Sequence, residues 1–424
     1  GKDKAIAPNI DALNLGREYA LKYFDCPLDI RVATSEAVGE QILVEGNAAA
    51  GLGCVFAGAT VAAWYPITPS TSVAEAFEKY CHQLRIEPET GKKKFAIVQA
   101  EDELAAIGMA IGANWNGARA FTATSGPGIS LMSEFLGLAY FAELPVLLFN
   151  IQRGGPSTGM PTRTQQSDII SCAYASHGDT KHVLLFPSDP TECFDFAVEG
   201  FDLTERLQTP VIVMSDLDLG MNEWTTKPFK FDESKGFDRG KVLNAEQLDE
   251  MGRFGRYLDV DGDGIPYRTY PGTHPSKGAF FTRGTSHDEY AGYTEDGTIN
   301  ARVMMRLTHK FNTAKTLVPA PEFGQEGQNS TIGLIHFGTT AISVPEAMDI
   351  LGERQIHLDT MRLRAFPFSQ KVEDFIASHD KVFVVEQNRD GQMRSLLVNE
   401  IGIDPACLVP ILNFDGFPIT ARTM

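Results

Sequence analysis

Apolar positions along most of this chain come in short continuous runs, separated by stretches of helical period. The runs at 62–66, 95–99, 118–124, 145–150, 183–186 and 210–214 fit strands buried on both faces. Between them, 72–84, 103–114, 130–141 and 191–204 carry apolar residues at three- and four-residue spacing, which predicts helices. A short apolar stretch at 41–45 leads into the small residues of 46–53, which predict a tightly packed helix. Strands alternating with helices predict a largely parallel sheet covered on both faces.

The rhythm breaks over 219–300, which is rich in Gly, Asp, Lys and Tyr. A stretch that long without periodicity is expected to be functional or packed on a partner. A helix beginning at Ala291 or Asn300 is expected to run to about Ala314. A second α/β unit follows from about Thr331, with strands at 332–337, 355–358 and 381–385 and helices at 342–351, 369–379 and 393–402. At the other end, residues 1–40 read as an arm or linker with one helix from Asn9 to Phe24, ended by Pro27. The expected division is 1–40, 41–325 and 326–424. A start at Gly1 without Met is the expectation of a processed or partial chain.

Composition narrows the classes. A chain of 424 residues accommodates two or three domains, and 43% hydrophobic residues fill ordinary cores. A net charge of −18 disfavours nucleic acid, whose phosphates it would repel. The six cysteines are scattered with no CxxC pair, so this chain is not expected to ligate an iron–sulfur cluster or a zinc ion. With no signal-peptide pattern, the expected location is the reducing cytoplasm, and no apolar run reaches membrane-spanning length.

Several short stretches carry candidate chemistry. Tyr65-Pro66-Ile67-Thr68-Pro69-Ser70 is a proline-stiffened turn that presents hydroxyls. Glu101-Asp102-Glu103 opens a helix just past a buried strand, where the helix dipole favours an ionised carboxylate. On spacing alone an ordinary acidic cap explains these three residues. Thr124-Ser125-Gly126-Pro127-Gly128 reads as a loop before a helix, a place where anions are held. Arg153 follows a buried strand and opens a Gly-rich run; it reads either as a carboxylate-binding cation or as a solvated loop residue. Asp259, Asp261 and Asp263 have the first three spacings of a calcium loop, but Tyr270 stands where that loop needs Glu, leaving them weak metal candidates. His177, His274, His287 and His336 form no ligand pattern, and His274 and His287 are the better functional candidates among them.

Taken in order, Tyr65-Pro66-Ile67-Thr68-Pro69-Ser70, Glu101-Asp102-Glu103-Leu104-Ala105-Ala106, Thr124-Ser125-Gly126-Pro127-Gly128 and Asn150-Ile151-Gln152-Arg153-Gly154-Gly155-Pro156-Ser157-Thr158-Gly159-Met160-Pro161-Thr162 resemble the alpha subunits of the 2-oxoacid:ferredoxin oxidoreductases. Glu386-Gln387-Asn388-Arg389-Asp390-Gly391-Gln392-Met393 is similar to the members that act on 2-oxoglutarate. The resemblance covers nearly the whole chain. It implies an α/β fold: a thiamine diphosphate-enzyme pyrimidine-binding domain followed by a transketolase C-terminal-like α/β domain.

The same resemblance implies site roles. Glu103 would activate the cofactor through its pyrimidine ring, near Tyr65, Pro66, Ile67, Ser125 and Gly126. Thr68 and Arg153 would meet the substrate, with Arg163, Ser157 and Thr158 at the mouth. The reaction implied is oxidative decarboxylation of 2-oxoglutarate to succinyl-CoA and CO₂ with ferredoxin reduction, and the reverse carboxylation. Thiamine diphosphate and Mg²⁺ would be shared with a beta subunit, which would also hold the [4Fe-4S] cluster; coenzyme A would bind as co-substrate. Gly262-Asp263-Gly264 resembles the start of the diphosphate motif, but residues 289–295 lack the Asn that completes it. A dimer of alpha–beta heterodimers is implied. The gamma domain fused ahead of some members is not seen. Alternatives are a pyruvate or broad-specificity 2-oxoacid enzyme, a non-oxidative transketolase-type subunit, and a non-catalytic scaffold subunit.

Overall fold

The computed structural model describes residues 3–324 and 330–424, and the chain divides into two compact units, Gly1–Gln41 and Ile42–Met424. The first unit holds the helix Asp3–Tyr23 and an extended run after it. That helix starts ahead of the expected Asn9 and takes in Pro8, giving up the hydrogen bond that a proline cannot donate.

In the second unit the largest sheet has seven strands. Their order is Ala365–Phe366, Val183–Leu185, Pro210–Asp216, Val146–Gln152, Ala120–Thr124, Val61–Trp64, Ala96–Gln99. All neighbours are parallel except the first pair. Ala120–Thr124, Val146–Gln152 and Pro210–Asp216 are buried along their whole length, as continuous apolar runs require. A second sheet runs Leu408–Leu412, Lys381–Glu386, Ile332–Phe337, Asp359–Leu363, Glu322–Phe323, parallel except for its last pair. One hydrophobic core passes through both sheets. Phe186 meets Phe337 at 5.5 Å between ring centroids, and Phe311 meets Phe366 at 5.4 Å. The domain boundary expected at 325/326 lies outside the described residues.

Some expectations need correction. The strand placed at 355–358 is instead Asp359–Leu363, with Gly333 opposite Asp359 and Phe337 opposite Leu363. Only Met361 and Leu363 are buried there, and Thr360 and Arg362 alternate with them, so the strand has no continuous apolar run to betray it. The helix expected at 130–141 begins at Gly126, so Gly126-Pro127-Gly128 is its first turn and not a loop. Pro127 is tolerated there because its missing N–H would have no partner in the first turn. Glu223–Thr226 pairs antiparallel with Ile42–Glu45 in a separate ribbon.

The irregular segment after residue 219 packs on its own chain. Arg256, Tyr257, Arg268 and His287 are buried in it. Arg268 and Arg239 reach the buried Glu205 at 3.4 and 3.2 Å, where Arg119 Nε also donates at 2.9 Å. Buried charges need partners, and this segment supplies them to the sheet's covering helix Pro190–Leu207.

Candidate active site

The strand register aligns the carboxyl ends of the large sheet. Trp64 lies opposite Gln99, Thr124 opposite Asn150, and Gln152 opposite Asp216. The residues that follow those ends are Tyr65 to Thr68, Glu101 to Glu103, Ser125 with Gly126, and Arg153. They leave the sheet along one edge, which is where open α/β sheets bind ligands.

Glu103 is the first residue of the helix Glu103–Trp115. The cap is its neighbour: Asp102 Oδ1 accepts the Ala105 N–H at 2.6 Å. Glu103 is therefore free of capping duty. It is only 5% exposed, and among the described residues none donates a hydrogen bond to its carboxylate. Beside it sits the first turn of helix Gly126–Phe141. A Cβ at Gly128 would lie 1.9 Å from Thr124 Oγ1 and 2.9 Å from Glu103 Cγ, so only glycine lets this turn close on Glu103. A Cβ at Gly126 would lie 3.0 Å from the carboxylate oxygens of Asp168. The hydroxyl of Ser125, the N-cap residue, is buried without a partner.

Thr68 is exposed and precedes a cis peptide bond to Pro69. Ile67 O accepts the Ser70 N–H at 2.9 Å, which closes the turn; Pro66 is exposed, and Tyr65 and Ile67 are half-buried. Arg153 Nη1 donates to Thr68 O at 2.5 Å, and Nη2 donates to Thr158 O at 3.0 Å. The structure thus brings Thr68 and Arg153 together and ties both to the Gly-rich loop. Arg153 is 7% exposed and its Nε has no partner. Burial pulls its pKa down, and Asp168 opposes that shift. Ser157 and Thr158 are exposed at the tip of the loop, which Met160 closes by donating its N–H to Gly154 O at 2.7 Å. Arg163 is exposed, 5.3 Å from the centroid of the Phe417 ring, and among the described residues no carboxylate pairs with it.

Asp168 was not among the candidates read from sequence. Asn150 Nδ2 donates to its Oδ2 at 3.1 Å, and its own N–H donates to Gln152 Oε1 at 3.1 Å. Burial raises its pKa to about 6, against the lowering effects of Asn150 and Arg153. The signal was available: a lone Asp between Gln166-Ser167 and Ile169-Ile170, just past the Gly-rich loop.

The motif at 386–393 proves to be scaffold. Glu386 accepts the N–H groups of Met393 and Arg394 at 2.7 and 2.8 Å and so caps the helix Gln392–Ile401. Asn388 Nδ2 donates to Gln166 O at 3.1 Å, and Gln392 Nε2 to Ser167 O at 2.6 Å.

In the Asp loop, Lys241 Nζ lies 2.7 Å from Asp261 and 2.8 Å from Asp263, where a metal ion would sit. Asp259 accepts the N–H groups of Gly262 and Gly264 at 2.9 Å. His287 is a packing residue stacked on Tyr257 at 3.8 Å, and His336 is buried in the strand Ile332–Phe337. His274 accepts the Lys277 N–H at 2.9 Å and lines a cleft of about 200 Å³ with Trp115, Tyr270 and Phe280.

A family model described as the thiamine diphosphate-binding region of pyruvate flavodoxin/ferredoxin oxidoreductases matches residues 52–251. The 2-oxoglutarate synthase subunit KorA of Methanothermobacter thermautotrophicus is 34% identical, with 84% of this chain and 89% of that subunit aligned. The chain belongs to the alpha subunits of the 2-oxoacid:ferredoxin oxidoreductases. Subunit alpha of 2-oxoacid:ferredoxin oxidoreductase 2 of Aeropyrum pernix is also 34% identical, across 99% of this chain. This alpha-type chain spans 65% of that relative's length, and 59% of a Sulfurisphaera tokodaii counterpart. The solved 2-oxoglutarate:ferredoxin oxidoreductase of Magnetococcus marinus, with 2-oxoglutarate, coenzyme A and succinyl-CoA bound, superimposes with a TM-score of 0.85 at 32% identity. That match covers 99% of this chain and 70% of the solved one. The fold is accordingly an α/β one that carries the family's thiamine diphosphate-binding region and follows the solved enzyme through its second sheet. Among the described residues, no helix is long and apolar enough to cross a membrane.

Proposed function

We propose that this chain is the pyrimidine-side half of a thiamine diphosphate-dependent oxidoreductase that decarboxylates 2-oxoglutarate, passes the electrons to ferredoxin and forms succinyl-CoA. The observation that carries the proposal is Glu103: a buried carboxylate at a helix start, relieved of capping by Asp102 and lacking a protein donor. With no protein donor recorded and some access from outside, its oxygens are open to a ligand N–H. Gly128 lets the neighbouring turn pack against Glu103, and the Ser125 hydroxyl that caps that turn's helix has no protein partner. These residues fit the aminopyrimidine ring, with Tyr65, Pro66 and Ile67 along the adjoining turn. When bound, thiamine diphosphate supplies the carbon nucleophile that attacks a 2-oxoacid and accepts the electrons of decarboxylation.

Glu103, at the helix N-terminus, would hold the ring in place through its pyrimidine nitrogen. Arg153 spends two donors on Thr68 O and Thr158 O, which fixes the plane of its guanidinium, and its enclosed Nε has no protein partner. Thr68 offers its hydroxyl beside it. Arg163, exposed and free of acid partners among the described residues, suits the distal carboxylate of 2-oxoglutarate.

The site is half of one. Among the described residues no group of three His, Cys, Asp or Glu side chains could hold a metal ion. The proposal therefore assigns Mg²⁺, the diphosphate and the [4Fe-4S] cluster to a beta subunit, in a dimer of alpha–beta heterodimers. The test is Glu103→Gln in the assembled enzyme. Proton exchange at the reactive carbon of the bound cofactor should slow by roughly 10²-fold or more. An unchanged exchange rate would remove Glu103 from this role. Turnover by the isolated chain would refute the half-site reading.

A further inference from the structure

Two side chains from elsewhere in the chain hold the turn that carries Thr68. Among the described residues, Arg153 and Asn47 are the side chains outside the stretch 65–72 that hydrogen-bond to it. Arg153 meets Thr68 O, as described above. Asn47 Nδ2 donates to Pro69 O and to Ser72 Oγ, both at 2.8 Å. A carbonyl oxygen only accepts, so the amide nitrogen is the end of Asn47 that faces the turn.

Asn47 is 1% exposed and is the second residue of helix Gly46–Phe56. Its neighbours leave the amide little freedom. A Cβ at Gly220 would lie 2.6 Å from Asn47 Oδ1 and 3.0 Å from its Cγ, and a Cβ at Gly46 would lie 2.5 Å from Leu219 O. Helix Gly46–Phe56 and the short helix Leu217–Met221 therefore close on each other around this side chain. The short helix is itself fixed to the end of a central strand, because Leu219 donates its N–H to Asp216 Oδ1 at 3.0 Å. Asn47 Oδ1 has no partner. Burying an unpaired acceptor costs stability, so what its nitrogen holds is the reason for an amide at this position.

We propose that Asn47 is a positioning residue for substrate binding: through the Pro69 carbonyl it fixes where Thr68 presents its hydroxyl beside Arg153. The proposal rests on the assignment of Thr68 and Arg153 to the substrate. Pro69 is joined directly to Thr68, and its ring locks its φ, so a shift of the Pro69 carbonyl passes on to Thr68. In the reading above Arg153 also serves the substrate, which makes Asn47 the tether that belongs to the turn alone.

The experiment is steady-state kinetics of the assembled enzyme carrying Asn47→Ala, Thr68→Val or both. Each single change should lower kcat/KM for 2-oxoglutarate roughly tenfold or more, chiefly through KM. The double variant should be scarcely worse than Thr68→Val, because the amide acts through that hydroxyl. Proton exchange at the reactive carbon of the bound cofactor, which is assigned to Glu103, should keep its wild-type rate in Asn47→Ala. Gly220→Ala, whose methyl would displace the amide without removing it, should repeat the rise in KM. If Thr68→Val leaves kcat/KM unchanged, the Thr68 assignment fails and this proposal with it. If Thr68→Val costs activity while Asn47→Ala costs none, or the two costs add in full, the proposal falls and the Thr68 assignment stands. An Asn47→Ala enzyme whose cofactor exchange slows along with turnover marks Asn47 as merely structural and also overturns the proposal.

Discussion

Gly128→Ala tests whether the geometry around Glu103 is as tight as it looks. The added methyl would stand 1.9 Å from Thr124 Oγ1, 3.0 Å from Thr124 Cβ and 2.9 Å from Glu103 Cγ. Rotating the threonine hydroxyl does not relieve the contact with its Cβ, so Glu103 or the helix must move. Alanine in place of glycine in a helix gains up to about 1 kcal/mol. Overpacking costs about 1–3 kcal/mol, so the net expectation is a loss of about 0–2 kcal/mol in stability. Function should suffer more, because a shift of about 1 Å in a catalytic group costs on the order of 10²-fold. Gly112→Ala is the control: it lies in the Glu103 helix and a Cβ there meets nothing within 4 Å. That change should stabilise the chain by about 0.5–1 kcal/mol. Urea denaturation of the chain and proton exchange of the cofactor in the assembled enzyme give the two numbers. If Gly128→Ala leaves exchange untouched, the first turn of helix Gly126–Phe141 does not set the position of Glu103.

Two further predictions concern charge. Arg163→Met in the assembled enzyme should raise the KM for 2-oxoglutarate strongly and spare pyruvate, because only the former brings a distal carboxylate; equal effects on both would take Arg163 out of the pocket. Burial depresses the pKa of His182 to about 4 and that of His336 to about 3, so both stay neutral in the fold while the unfolded chain protonates near the ordinary value of 6.5. Their contribution is fully present above that value and is lost as pH falls. Each should cost about 2 kcal/mol between pH 7 and 5, and His182→Gln should remove its share in denaturant titrations at the two pH values.

The parallel architecture was legible because its central strands are covered on both faces and read as unbroken apolar runs. Val146–Gln152 and Pro210–Asp216 are cases in point. Asp359–Leu363 escaped because it alternates, with Arg362 reaching Glu192 of the large unit's covering helix at 2.6 Å. Thr68, Glu103 and Arg153 stood out through the family resemblance and not through spacing, and the structure places Arg153 against Thr68 O. Asp168 was not legible, because its contacts with Asn150, Gln152 and the Gly126 turn come from residues well removed along the chain. Nor did spacing separate Asp102 from Glu103; only the observed cap at Asp102 shows which carboxylate is free for a ligand.

The stretch 386–393 touches none of the candidate catalytic groups directly, and its contacts show how it bears on the segment after the Gly-rich loop. Glu386 fixes its own helix, and Asn388 and Gln392 then hold Gln166 and Ser167 by their carbonyls. Gln166 Nε2 reaches Asp216 at 2.7 Å at the end of a central strand, and Thr339, in the turn just after the second sheet's strand Ile332–Phe337, donates to the same carboxylate at 2.6 Å. The second sheet therefore pins the segment between Arg163 and Asp168 at several points. Those two residues flank the pinned segment, one facing the mouth and the other the buried edge. A loop anchored this way holds charges in place, and hydrogen bonds from neutral amides do so without adding competing charge.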